Sequence, residues 1–227
     1  MKAAHAMLAA AVLVAAAVAT ASALPLLLSP SGYPKRVRPG ARIALTEQGI
    51  RFSLRPMTND WGLYPGVSTG KSPAGPISLN KSIVGPQDAE GIIYWTSFPY
   101  GDYADPCARL LGRSVGPSAA DLAAAVSTAP GTKLVSGPSD VTLGGRPAKH
   151  VVLTVRKNVG CDPGFFYRWA DVQGGALWTT TQAGSTMRVW VVSIDGKRLF
   201  IAAATTEQAN SRLKKEIKQL VESIRFG

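Results

Sequence analysis

Two cysteines, one mid-chain histidine and two short aspartate-bearing segments are the residues of this 227-residue chain whose types and spacing could do chemistry. Cys107 closes the segment GDYADPC, and Cys161 is the second residue of the run GCDPGFFYRW, which ends at Trp169. No C-x-x-C spacing and no histidine cluster accompanies them, which disfavours redox or metal chemistry. In an exported chain an even cysteine count reads as a structural bridge, and closing a loop of roughly 50 residues stabilises by about 4 kcal/mol on the chain-entropy account. Such a bridge gathers Asp102, Asp105 and Asp162, whose carboxylates a calcium ion could share. Helix capping by Asp105 and turn formation by Asp162 explain the same residues without an ion, so no metal and no cofactor is expected.

His150 is the one histidine beyond the N-terminal segment, and it lies in the middle of a largely apolar run. A histidine so placed reads as a core or layer-interface residue rather than a general base. G-x-S-x-G spacing occurs at Gly66–Gly70 and Gly112–Gly116, but H-E-x-x-H does not, and away from His150 no second histidine is at hand to complete an imidazole triad. Gly66 to Ser72 looks like a phosphate loop one residue short, and Pro73 and Pro76 forbid the helix that would hold the phosphate. The expectation is a non-enzymatic domain, with a hydrolase built on Asp102, Asp162 and His150 as the alternative.

Aromatic residues crowd the same segments: Tyr94, Trp95, Tyr100, Tyr103, Phe165, Phe166, Tyr167, Trp169 and Trp178. Most are expected to fill the core, with Tyr100 and Tyr103 in exposed loops. Tyr100, Asp102, Tyr103, Phe165, Phe166 and Tyr167 are therefore the candidate contacts for an envelope protein or small ligand. A cell-wall polysaccharide-binding module is a further reading, and it requires coplanar exposed tryptophans.

The elements that must position these residues follow from periodicity. Ala148 to Val155 is largely apolar in both alternation sets and reads as a central strand of a covered sheet, as does Ile92 to Phe98. Gly144-Gly145 and Asp195-Gly196 predict hairpins joining Asp140–Leu143 to Arg146–Val155 and Met187–Ile194 to Lys197–Thr205. Ile50–Leu54 alternates as an edge strand, and Ile77–Val84 and Ala176–Thr181 are further strands. Asp105-Pro106 predicts a short helix ended by Gly112, and Ser118 with Asp121 predicts another through Ala129. A last amphipathic helix, capped by Thr205 or Thr206, carries Ala209, Leu213, Ile217, Leu220, Val221 and Ile224 on one stripe. Hairpins, strands apolar on both faces, and helices to cover them add up to a three-layer α/β/α sandwich with a mostly antiparallel sheet.

With 46% hydrophobic residues the chain can bury a single core, expected over residues 46–227. The formal charge of +11 attracts it weakly to anionic lipid or wall polymer. Its basic residues, Arg51, Arg55, Lys71, Lys81, Arg113, Lys133, Arg156 and Lys197 among them, are scattered as on a solvated surface, so no specific nucleic-acid binding is expected. Residues 1–28 combine Lys2, an apolar run from Ala6 and the Ala21-Ser22-Ala23 cleavage pattern of an export signal. Uncut, the run through Leu28 is long enough to anchor the chain in a bilayer, and the expected location is extracellular or anchored to the outer face of the cytoplasmic membrane. Residues 29–45 read as a flexible basic linker.

VGPQDAEGIIYWTSFPYGDYADPCARLL, DVTLGGRPAKHVVLTV, GCDPGFFYRW and RVWVVSIDGKRLFIAAAT through VESIRF together resemble a group of uncharacterised exported or membrane-anchored actinobacterial proteins. Their domain is similar to the PsbP-like α/β/α sandwich of mycobacterial cell-envelope lipoproteins of the LpqN kind. The resemblance runs from about Gly49 to Phe226 and implies a Cys107–Cys161 bridge, an envelope location and no catalytic residues to carry over. The lipid-attachment cysteine of those lipoproteins has no counterpart here.

Overall fold

A computed structural model of the protein describes residues 35–64, 77–83, 89–96, 101–105, 110–156, 166–167, 169–170, 179–180 and 184–227. The chain runs through β1 (Lys35–Arg36), β2 (Ile43–Glu47), β3 (Ile50–Leu54), β4 (Gly62–Tyr64), β5 (Ile77–Ile83), β6 (Ala89–Thr96), β7 (Gly101–Asp105) and β8 (Leu110–Ser114). After α1 (Ala119–Ser127) come β9 (Thr132–Leu143), β10 (Arg146–Val155), β11 (Phe166–Tyr167), β12 (Trp169–Ala170) and β13 (Thr179–Thr180). β14 (Thr186–Ile194), β15 (Lys197–Thr205), α2 (Ser211–Glu222) and β16 (Arg225–Phe226) complete it. The result is an α/β fold, mostly antiparallel sheet with two helices.

Eight strands form the main sheet in the order β1-β4-β5-β6-β15-β14-β10-β9. Both predicted hairpins form, and their turns explain why: Gly144, Gly145, Asp195 and Gly196 all take positive φ, the conformation of a primed two-residue turn. On β15 the side chains of Leu199, Ile201 and Ala203 enter one apolar cluster, and Phe200, Ala202 and Ala204 the other. α1 contributes Leu122, Ala123 and Val126 to the second cluster. α2 joins the first with Leu213, Ile217, Leu220 and Val221, alongside Ile50, Phe52 and Leu54 of the small sheet β16-β3-β2. Gly91 of β6 makes room for α2: a Cβ there would lie 3.1 Å from Leu213 Cδ1 and 3.2 Å from Ile217.

Ser118 caps α1 as its spacing predicts, with Asp121 reciprocating in a capping box. Elsewhere tertiary pairing overrides local signals. The helix expected from Asp105 to Gly112 is overturned at both of its ends, where strands pair instead: Asp105 of β7 stands opposite Leu110 of β8, and Tyr103 opposite Leu111. Asp-Pro suits a turn as well as a helix start, and strand partners decide between the two. Ile50–Leu54 is not an edge strand: β3 lies between β16 and β2. α2 starts later than expected, because Asn210 rather than Thr205 or Thr206 supplies the cap, accepting from the Leu213 N–H at 2.9 Å. Thr205 is spent as the last residue of β15. The segment expected as a flexible linker contributes β1 and the start of β2, with Val37 and Ile43 buried in the core.

Candidate functional site

The two segments singled out by their cysteines meet through backbone pairing. Asp102 of β7 stands opposite Trp169 of β12, and Gly101 opposite Ala170. With β8 on its other side, β7 is the middle strand of a small sheet ordered β12-β7-β8. Phe166 and Tyr167 form β11, which pairs with Thr180 and Thr179 of β13. Asp102 and Tyr103 thus sit on a strand, not on the loop the sequence suggests, while Tyr100, Phe165, Asp162, Cys107 and Cys161 lie outside the described residues. Among the described residues no group of three or more His, Cys, Asp or Glu side chains is placed to hold a metal.

His150 lies elsewhere, on β10, seventh of eight strands in the main sheet. That position corrects the expectation of a central strand with both faces buried. Val151, Leu153 and Val155 are buried toward α1, whereas His150, Val152 and Thr154 on the opposite face are only half-buried, as are Thr186, Arg188 and Trp190 beside them on β14. The imidazole stacks on the Trp190 ring at 4.8 Å, with 23° between planes. Its Nε2 is buried without a hydrogen-bond partner among the described residues. Burial lowers its pKa below the usual histidine value, and the like charge of Arg188 lowers it further. A general base needs a proton to take within hydrogen-bond reach and usually a carboxylate to orient it, and the described surroundings of this ring supply neither.

The charged cluster that sequence reasoning missed joins β5, α2 and the turn between β3 and β4. Lys81, expected on the solvated surface, is 9% exposed and lies 2.7 Å from Glu216, itself 6% exposed. The Lys81 ammonium also donates to the Asn59 carbonyl at 2.9 Å, the Thr58 hydroxyl donates to Glu216 Oε2 at 2.7 Å, and Arg212 Nε donates to Oε1 at 3.1 Å. Burial pushes the Glu216 carboxyl up, but the donors from Lys81 and Thr58, the lysine charge and Arg212 outweigh it and hold the pKa below the ordinary glutamate value. Every charge in this cluster has a partner, which is the signature of a structural strut rather than of a reactive group. One signal pointed to it: Glu216 falls within the apolar stripe of α2, next to Ile217 and one turn before Leu220.

Trp61 and Trp95 are each 1% exposed, which removes two of the five tryptophans from any sugar-stacking platform. Among the described residues, no helix is long and apolar enough to cross a membrane.

No family model and no curated protein matches the chain. Among solved structures, it is similar to the crystal structure of LpqN, involved in cell envelope biogenesis of Mycobacterium tuberculosis, at 13% identity and a TM-score of 0.39 over 85% of this chain and 89% of that one. It is also similar to a structure from Bacteroides thetaiotaomicron VPI-5482, at 12% identity and a TM-score of 0.34 over 86% of this chain and 48% of that one.

Proposed function

We propose that the protein is a non-enzymatic, extracytoplasmic cell-envelope domain, a three-layer α/β/α sandwich of the PsbP-like kind, that binds a protein partner or small ligand through the segments flanking Cys107 and Cys161. The observation that carries this reading is the pairing of Asp102 with Trp169 across β7 and β12, which joins strands from the two cysteine-bearing segments. Backbone pairing holds aromatic and acidic positions together at little further entropic cost, the kind of preorganisation that recognition requires. A bridge between Cys107 and Cys161 is part of the proposal, because it would clamp the two segments on either side of that pair. Aromatic side chains are the expected anchors, in keeping with their weight in interface energetics.

The test is photo-crosslinking from intact cells with the native protein and with a Tyr100→Ala/Tyr103→Ala variant. Loss of the crosslinked species at an unchanged melting temperature supports the site; an unaltered crosslink removes it.

A further inference from the structure

The sheet β16-β3-β2 turns one face to the core and the other outward. Ile50, Phe52 and Leu54 of β3 enter the apolar cluster, so Arg51 and Ser53 alternate to the outer face and Arg55 follows them there. The register sets Ser53 between Ala44 of β2 and Arg225 of β16, and the Ile43 to Leu54 pair brings Arg42 alongside Arg55. Arg42, Ser53, Leu54, Arg55, Ser223 and Arg225 line an open pocket of about 430 Å³.

Two features of this pocket call for an anion. Its three arginines are exposed, and none pairs with a carboxylate among the described residues. Ser53 is only 4% exposed, yet its hydroxyl lines the pocket with no hydrogen-bond partner among the described residues. The hydroxyl oxygen itself is not shut off from the pocket, so its donor is open to a solvent or ligand oxygen there. The negative end of α2 lies close by, but its carbonyls are already occupied. Ser223 Oγ donates to the Leu220 carbonyl at 2.7 Å while accepting from the Arg55 N–H at 2.8 Å, and Arg225 Nη1 donates to the carbonyls of Glu222 at 2.8 Å and Ile224 at 2.6 Å. A guanidinium carries five N–H donors, which leaves Arg225 with several to offer. The Glu222 carboxylate is 3.7 Å from Lys218, along the helix.

We infer that this pocket binds a phosphate ester, with the Arg42, Arg55 and Arg225 guanidiniums and the Ser53 hydroxyl as its donors. Forked guanidiniums pair bidentately with phosphate oxygens, and several forks around one hydroxyl suit a group with three or more acceptor oxygens better than a carboxylate. The volume exceeds what a bare ion fills and leaves space for the esterified group. A lipid headgroup is one source of that chemistry: the apolar run of the sequence ends at Leu28, within about 25 Å of extended chain from Lys35. A soluble phosphate ester is the other.

The experiment compares the full-length protein with an Arg42→Gln/Arg55→Gln/Arg225→Gln variant, a Ser53→Ala variant and a charge-matched control, Lys133→Gln/Lys214→Gln/Lys215→Gln. Binding of glycerol 3-phosphate is followed by calorimetry, and adsorption by the difference between phosphatidylcholine vesicles with and without phosphatidylglycerol. The arginine variant is expected to lose about tenfold or more in both assays, and Ser53→Ala to weaken phosphate binding at an unchanged melting temperature, with the control shifting each by less than about twofold. Phosphate binding lost in the arginine variant, with vesicle adsorption unaffected, supports the pocket and assigns it a soluble ester. Equal losses in the control would reduce the effect to net charge and overturn the site, as would absence of binding by the unaltered protein in both assays.

Discussion

At the scale of single residues, the structure turns two charges the sequence treats as ordinary into stability determinants. Glu216 has a folded pKa below its unfolded value, so its contribution is fully present above the ordinary glutamate range and is lost as pH falls through the folded value. The melting temperature should therefore decline on acidification through that range, and less steeply in a Lys81→Met/Glu216→Leu variant, which has no carboxylate there to protonate. Lys81→Met alone should cost about 3–5 kcal/mol, since it leaves a buried carboxylate without its main partner, and chemical denaturation will read that loss. His150 obeys the same sign: its folded pKa is depressed, so the folded state is favoured above the ordinary imidazole value and disfavoured as pH drops below it. An NMR titration should place its midpoint below that of an unfolded reference peptide. A midpoint above the reference would mean a carboxylate partner, and with it the acid–base role assigned to Asp102 or Asp162 in a hydrolase.

At the scale of elements, local chemistry was readable wherever it was self-contained. The α1 capping box and both hairpin turns follow from a few adjacent residues, and the structure builds them as spelled. Ser118→Ala should cost about 1 kcal/mol of stability by removing the acceptor for the Asp121 N–H. Position 91 is a different case, because its meaning depends on a helix more than a hundred residues away in the chain. Gly91→Val should destabilise by about 1–3 kcal/mol through crowding of Leu213 and Ile217, with the loss visible in the same unfolding experiment. The mistaken helix at Asp105 has the same origin. Its capping signal is local, whereas the pairing of Tyr103 with Leu111 and of Gly101 with Ala170 is set by other strands.

At the scale of the whole molecule, the eight-stranded sheet feeds both apolar clusters, with α1 contributing to one and α2 and β3 to the other. If Cys107 and Cys161 are bridged, reduction should lower stability by about 4 kcal/mol, and the intact mass of the native protein should sit two hydrogen atoms below the reduced form. Free thiols in the mature protein would remove the clamp from the proposed binding surface. What the amino-acid order determined alone was the two glycine-turned hairpins, the capping box of α1, the amphipathic stripe of α2 and the excess of basic residues, since each is written in neighbours, in periodicity or in composition. Only the tertiary structure decided that Lys81 goes inside, that His150 faces a half-open sheet surface, and that Arg42, Arg55 and Arg225 converge on Ser53. Those outcomes depend on which strands lie side by side and in what register, and residues from opposite ends of a chain carry no local mark of where they will meet.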